Sequence, residues 1–150
     1  MPDSARTIEN LLYLYAERMD AGDLEGVAEL FRHGRIKASA DTGTEQVFEG
    51  RDGALGMYQA AARIYEDGTP RTKHVTTNAV IEVGDDDATA SARSYYTVFQ
   101  QTDDFPLQAI IAGRYHDTFH RVDGEWHFDT RIMFVDLTGD LSHHLLYELQ

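Results

Sequence analysis

Cysteine is absent from the chain, which excludes disulfides, thiolate metal sites and a cysteine nucleophile while leaving the redox compartment open. Histidine therefore has to carry much of any chemistry. No apolar run approaches the roughly 18 residues that mark a membrane-crossing helix, so no membrane span is expected. Basic residues are scarce: 13 Lys and Arg face 26 Asp and Glu, a formal net charge of −13. That balance repels phosphate backbones and anionic lipid surfaces, which argues against nucleic-acid and membrane partners. The N-terminus, Met1-Pro-Asp-Ser-Ala-Arg6, shows no basic segment followed by an apolar one, and a cytoplasmic location is expected. A Gly-rich phosphate loop, a dinucleotide fingerprint and a Gly-x-Ser-x-Gly elbow are all missing, so no cofactor is required.

What remains is 150 residues, 42% of them hydrophobic and 26% charged, which is the size and mixture of one soluble domain, residues 1–150, with a core of its own. Ile8, Leu11, Leu12, Tyr15 and Met19 recur at helical spacing, with Ser4 as the expected N-cap and Ala21-Gly22 as the stop. Asp23 is placed to cap a second, short helix through Leu24, Val27, Leu30 and Phe31. Asp20 lies at the corner between the two. A strand-like piece follows around residues 35–40, and Ala54, Met57, Tyr58, Ala61 and Ile64 predict a third helix over 51–66.

From His74 onward the chemistry is that of strands. Val75, Thr76, Thr77, Val80, Ile81 and Val83 lead into the turn Gly84 to Asp87, then come strands over 88–101 and 107–122, and Asp123-Gly124 is a strong hairpin turn before a last strand over 126–137. Helices followed by an antiparallel meander predict an α+β fold: a curved antiparallel sheet wrapped against N-terminal helices, cone-shaped with an internal pocket.

Three segments, Tyr15-Ala-Glu-Arg-Met-Asp-Ala-Gly-Asp23 with Leu30-Phe31, Lys73-His-Val-Thr-Thr-Asn78, and Gly113-Arg-Tyr-His-Asp-Thr-Phe119 before Asp123-Gly-Glu-Trp126, occur in an order that resembles the SnoaL-like branch of the nuclear transport factor 2-like superfamily over nearly the whole chain. Within it the pattern is most similar to scytalone dehydratase and hexachlorocyclohexane dehydrochlorinase, in which an aspartate on the first helix supports a proton-abstracting histidine. Asp20 and His74 stand at the matching positions. The resemblance implies an elimination or related proton transfer, although the superfamily also holds isomerases, cyclases and noncatalytic binders. The helper residues of scytalone dehydratase are replaced: its two tyrosines fall at Met19 and near Ala38, and its second histidine near Phe99.

The residues themselves suit such chemistry. Neutral imidazole titrates close to working pH, and His74 is the expected base; Asp20 can hold the other ring nitrogen and stabilise the imidazolium. Tyr115 is the preferred donor to a leaving group or enolate oxygen, because Ala109, Ile111, Gly113, Tyr115 and Asp117 share a strand face on which glycine leaves room for a ligand. Tyr58, Asn78, Tyr95, Phe99 and Met19 are expected to line the ligand. The plainer readings are that Asp20 ends one helix and caps the next, that His74 is an exposed strand-start residue and that Tyr115 is a core or rim tyrosine.

His116 and His120 lie about 13 Å apart along a strand, too far for one metal ion. Asp85 to Asp87 lack the calcium-loop spacing, and no metal site is expected. His143 and His144 are expected in solvent or at an interface. The apolar tail from Phe134 to Leu146 is expected to cover the cone mouth or a neighbouring subunit, and a homo-oligomer, dimer or trimer, is predicted. These features predict a cofactor-free lyase or isomerase taking a small apolar or aromatic hydroxyketone-like ligand. The other readings are a noncatalytic binding module and a small structural subunit resembling the dioxygenase β-subunit.

Overall fold

The computed structural model describes residues 3–39 and 45–147. The first helix, α1 (Ser4–Asp20), buries Ile8, Leu12, Tyr15, Ala16 and Met19 on one stripe, as the spacing predicts. Its N-cap is Asp3 rather than Ser4: the Asp3 carboxylate accepts the Ala5 N–H at 3.0 Å, freeing the Ser4 hydroxyl to donate to Asp87 at 2.6 Å. Asp23 caps α2 (Leu24–Glu29) by accepting the Gly26 N–H at 2.9 Å. Between them Gly22 turns the chain at φ +76, in contact with Gly68, where a Cβ would overlap the Gly68 carbonyl oxygen.

Two short strands, β1 (Arg35–Ser39) and β2 (Glu45–Glu49), pair antiparallel before α3 (Gly50–Ala61). β2 escapes periodicity because it is a mostly exposed edge strand with only Val47 and Phe48 apolar. The third helix stops at Ala61, five residues short of the expected end: Ala62 is extended (φ −90, ψ 129) and bridges to Leu145, and Ile64 points out at 40% exposure. The end of the predicted first strand at Ala40 lies outside the described residues.

The remaining strands, β3 (Thr72–Val83), β4 (Thr89–Thr102), β5 (Phe105–Val122) and β6 (Glu125–Thr138), form the predicted antiparallel meander. Asp123 (φ 51) and Gly124 (φ 82) close the last hairpin with the paired positive φ of a type I′ turn. The six strands run in the order β2-β1-β6-β5-β4-β3, with β1 parallel to β6. The sheet is curved and unclosed, and α1 packs along β3 inside its curve.

Bulges alter which residues face inward. Ile110 is an extra residue opposite Val98/Phe99, and it is fully buried while Ala109 is exposed. Ala109 and Ile111 therefore leave the inner face on which Gly113, Tyr115 and Asp117 remain. At Gly113 the missing Cβ makes room for the Phe134 carbonyl and for the protein's own Tyr96 rather than a ligand. A Cβ there would lie 2.6 Å from the Tyr96 hydroxyl oxygen, and that hydroxyl donates to the Phe134 carbonyl at 2.8 Å.

Candidate functional site

α1 ends where β3 begins, and this contact builds the site. Asp20 sits in the last turn of α1, where the helix dipole disfavours a negative charge. Three groups of β3 offset that cost. The His74 backbone N–H donates to Asp20 Oδ2 at 2.8 Å, the Thr72 hydroxyl donates to Oδ1 at 2.9 Å, and His74 Nδ1 lies 2.6 Å from Oδ1. A carboxylate only accepts, so Nδ1 carries the proton in the neutral ring and Nε2 keeps its lone pair. The two side chains are 12% and 8% exposed, and mutual shielding from water strengthens the contact.

The concave face beside α1 is filled by a polar aromatic cluster. Tyr115, 3% exposed, stacks on Tyr96 with ring centroids 4.4 Å apart and meets the edge of Tyr15 at 5.8 Å. The Tyr15 and Tyr58 hydroxyls share a short hydrogen bond. Arg131 is fully buried, its guanidinium 3.6 Å from the Tyr115 ring centroid and 4.3 Å from that of Tyr15. It makes a bidentate pair with Asp117, Nε to Oδ1 at 2.8 Å and Nη2 to Oδ2 at 3.0 Å, and leaves Nη1 without a partner. Burial pushes the Asp117 carboxyl up, with Arg131 opposing that rise. Burial also holds the Tyr58 and Tyr115 hydroxyls well above their ordinary range, so both are protonated donors at neutral pH.

Of the residues singled out in the sequence, Asp20 and His74 are brought together, and Met19, Tyr58 and Tyr115 lie in the core that adjoins α1. Asn78 and Tyr95 are not near them. Asn78, in the left-handed region at φ 57, sits at a β3 bulge that reverses the strand's parity and turns it out. Tyr95 is 53% exposed because its neighbour Tyr96 takes the inner face. Both line a depression of about 460 Å³ on the outer sheet surface with Arg93, Arg114 and His116. Phe99 shares that outward parity and is half-buried.

The tail supplies a residue expected from the sequence in solvent or at an interface. His144 is 8% exposed, its ring edge-on to that of His74 at 6.4 Å between centroids. Burial first, and the neighbouring His74 second, hold its imidazole down at about 4. His143 stacks on Phe105 at 4.1 Å. The residues from Gly139 to Leu146 thus cover this chain's own cone end. His116 and His120 stand apart, His116 against Phe134 and His120 on the His33 carbonyl. Among the described residues no group of His, Cys, Asp and Glu is arranged to hold a metal ion, and no helix is long and apolar enough to cross a membrane.

A curved sheet wrapped on N-terminal helices is the fold of the nuclear transport factor 2-like class. The chain belongs to the SnoaL-like domain family, whose profile matches residues 3–132. Its fold is similar to a candidate scytalone dehydratase from Novosphingobium aromaticivorans, at 25% identity over 90% of this chain and 85% of that one (TM-score 0.68). It is likewise similar to the β-subunit of a candidate aromatic-ring-hydroxylating dioxygenase from the same organism, at 21% identity, 91% of both chains and TM-score 0.68. An NTF2-like protein with a cystatin-like fold from that genus and species matches at 20% identity over 87% and 80% of the two chains, TM-score 0.68. A search of curated proteins returned no match. The solved structures of similar fold thus include a candidate dehydratase and a candidate dioxygenase β-subunit.

Proposed function

We propose that this protein is a cofactor-independent lyase or isomerase that abstracts a proton from a small cyclic or aromatic hydroxyketone-like substrate. The observation that carries the reading is the 2.6 Å contact between Asp20 Oδ1 and His74 Nδ1 in a nearly buried setting. With Nδ1–H committed to Asp20, Nε2 is the free base. It takes the proton from a carbon next to a carbonyl, and the electron pair of that C–H bond moves into an enolate. Asp20 stabilises the imidazolium that forms, assistance of the order of 10² to 10⁴ in rate. Collapse of the enolate expels a β-hydroxyl in a dehydratase or returns the proton at another carbon in an isomerase. Tyr115, a protonated hydroxyl at neutral pH, is the proposed donor to the leaving group or enolate oxygen, with Tyr58 and Met19 against the ligand.

The test is a panel of cyclic and aromatic β-hydroxyketones followed by NMR for loss of water or migration of a double bond. Turnover by the native protein that His74→Ala abolishes supports the reading, and full turnover by that variant overturns it.

A second reading is favoured by the likeness to the dioxygenase β-subunit and by the filled concave face: a noncatalytic binding or structural module. Co-purification of a larger metal-bearing chain, or recovery of every panel compound unchanged, supports this reading instead.

A further inference from the structure

His144 is unusual in three respects. It lies on the tail beyond the last strand, yet it is more than nine-tenths buried. Its Nδ1 is shut off from solvent and has no hydrogen-bond partner, a costly state for a polar atom that a native structure keeps only for a reason. Its ring meets that of His74 edge-on, 6.4 Å between centroids. The tail that carries it is tied at both sides of this residue. Gln100, 1% exposed, donates through Nε2 to the carbonyls of His143 at 3.0 Å and Pro70 at 3.1 Å, and the Tyr65 hydroxyl donates to the same His143 carbonyl. The Arg63 N–H donates to the His144 carbonyl at 2.8 Å, and the Leu146 N–H to the Ala61 carbonyl at 2.9 Å. A side chain with no partner of its own is thus held in place by its backbone.

We propose that His144 is the second imidazole of the site, and that its unpartnered Nδ1 receives the carbonyl oxygen of the substrate whose neighbouring C–H is attacked by His74. This inference rests on His74 being the base. A base and an oxygen receptor acting on one ketone divide the work: the C–H electron pair moves into the new C=C, the proton goes to His74 Nε2, and the charge that develops on oxygen meets an N–H donor. A receptor beside a histidine that becomes cationic is most useful if it stays neutral and donates without surrendering its proton. Burial favours that state first, and His74 on β3 opposes a second positive charge, while Asp20 on α1, itself engaged by His74 and Thr72, pulls the other way. Arg63, just past α3, lies against the Leu145 carbonyl of the tail. The substrate class narrows to compounds with a carbonyl oxygen on the carbon next to the acidic one, compact enough for both groups to be reached from one side of the paired imidazoles.

The probe is tetralone, an aromatic ketone with exchangeable α-protons, incubated with the protein in deuterium oxide and followed by NMR. Native protein is expected to exchange those protons faster than buffer, and His74→Ala to return the rate to that of buffer. His144→Ala is expected to lower the maximal exchange rate about 10²-fold with a smaller change in half-saturation, the pattern of a lost oxyanion donor. His144→Gln, which keeps an N–H donor, is expected to recover part of the rate. A change in the His144 ring nitrogen resonances when tetralone is added reads the contact even if His144→Ala fails to fold. Exchange lost in His74→Ala but unaltered in both His144 variants overturns the role of His144 and leaves the base assignment standing. Native protein that exchanges no faster than buffer, or His74→Ala that exchanges like the native protein, overturns both.

Discussion

Asp20 Oδ1 stands 2.6 Å from His74 Nδ1, and the same carboxylate accepts the His74 backbone N–H, so one side chain fixes both the strand and the ring it carries. Asp20→Asn keeps an acceptor for the backbone but places a neutral amide against the ring, which allows the opposite tautomer. Proton abstraction is expected to fall about 10²- to 10⁴-fold with little change in fold. Ring ¹⁵N NMR checks the cause: protonated Nδ1 and bare Nε2 in the native protein, and the reverse or a mixture in the variant.

His144 makes stability depend on pH. Its imidazole is held near 4 in the folded chain, against an ordinary value near 6.5, so the unfolded chain binds the extra proton. The resulting contribution is fully present above about pH 6.5 and is lost as pH falls toward 4, at most about 3 kcal/mol. Denaturant titrations between these limits should show a steeper loss in the native protein than in His144→Gln; parallel curves would contradict the assignment.

The Asp117–Arg131 pair is fully buried on both sides. Arg131→Met strands a carboxylate in the core and is expected to cost about 3–5 kcal/mol, whereas Arg131→Met with Asp117→Leu should recover much of that loss. Urea unfolding of the two single variants and the double variant measures the coupling. Simple additivity would show that the pair does not act as a unit.

Gly113→Ala pushes a methyl group toward the Tyr96 hydroxyl and the Phe134 carbonyl. A loss on the order of 1–3 kcal/mol is expected. Tyr96→Phe in the same background should relieve little of it, since the Phe134 carbonyl is the nearest obstruction and the Tyr96 ring carbon stays 2.7 Å from the added methyl group. Thermal melting of both variants decides this.

Tyr95 on the outer sheet face, and Val135 and Leu137 on the opposite face at the end of β6, are 53%, 49% and 70% exposed. Exposed apolar residues of this kind favour association, and light scattering at micromolar concentration is expected to give a dimer or trimer. A monomer mass would contradict that expectation.

The parts of the fold set by local pattern were legible in the sequence. Ile8, Leu12, Tyr15 and Met19 mark one face of a helix whatever they pack against, and Asp123-Gly124 selects its turn from the φ values those residues tolerate. The Asp20–His74 pairing was legible through the resemblance, which supplied a long-range contact that periodicity cannot. What escaped depends on tertiary detail. The β3 bulge at Asn78 and the extra residue Ile110 reverse side-chain parity without any proline or glycine to announce them. The expectation of solvent or an interface for His144 misses its burial within the chain, which is imposed by Gln100, Tyr65 and Arg63, each far from it in the sequence. Arg131 had a weak signal, a lone cation following the alternating Trp126 and Phe128, and its partner Asp117 was noted only as a member of a strand face.

The central claim, that His74 is a base made competent by Asp20, is tested most directly by the rate of α-deuterium uptake into tetralone, compared between native protein and His74→Ala at neutral pH. The account predicts uptake well above buffer for the native protein and a return to the buffer rate in the variant. Equal uptake by the two proteins would contradict it.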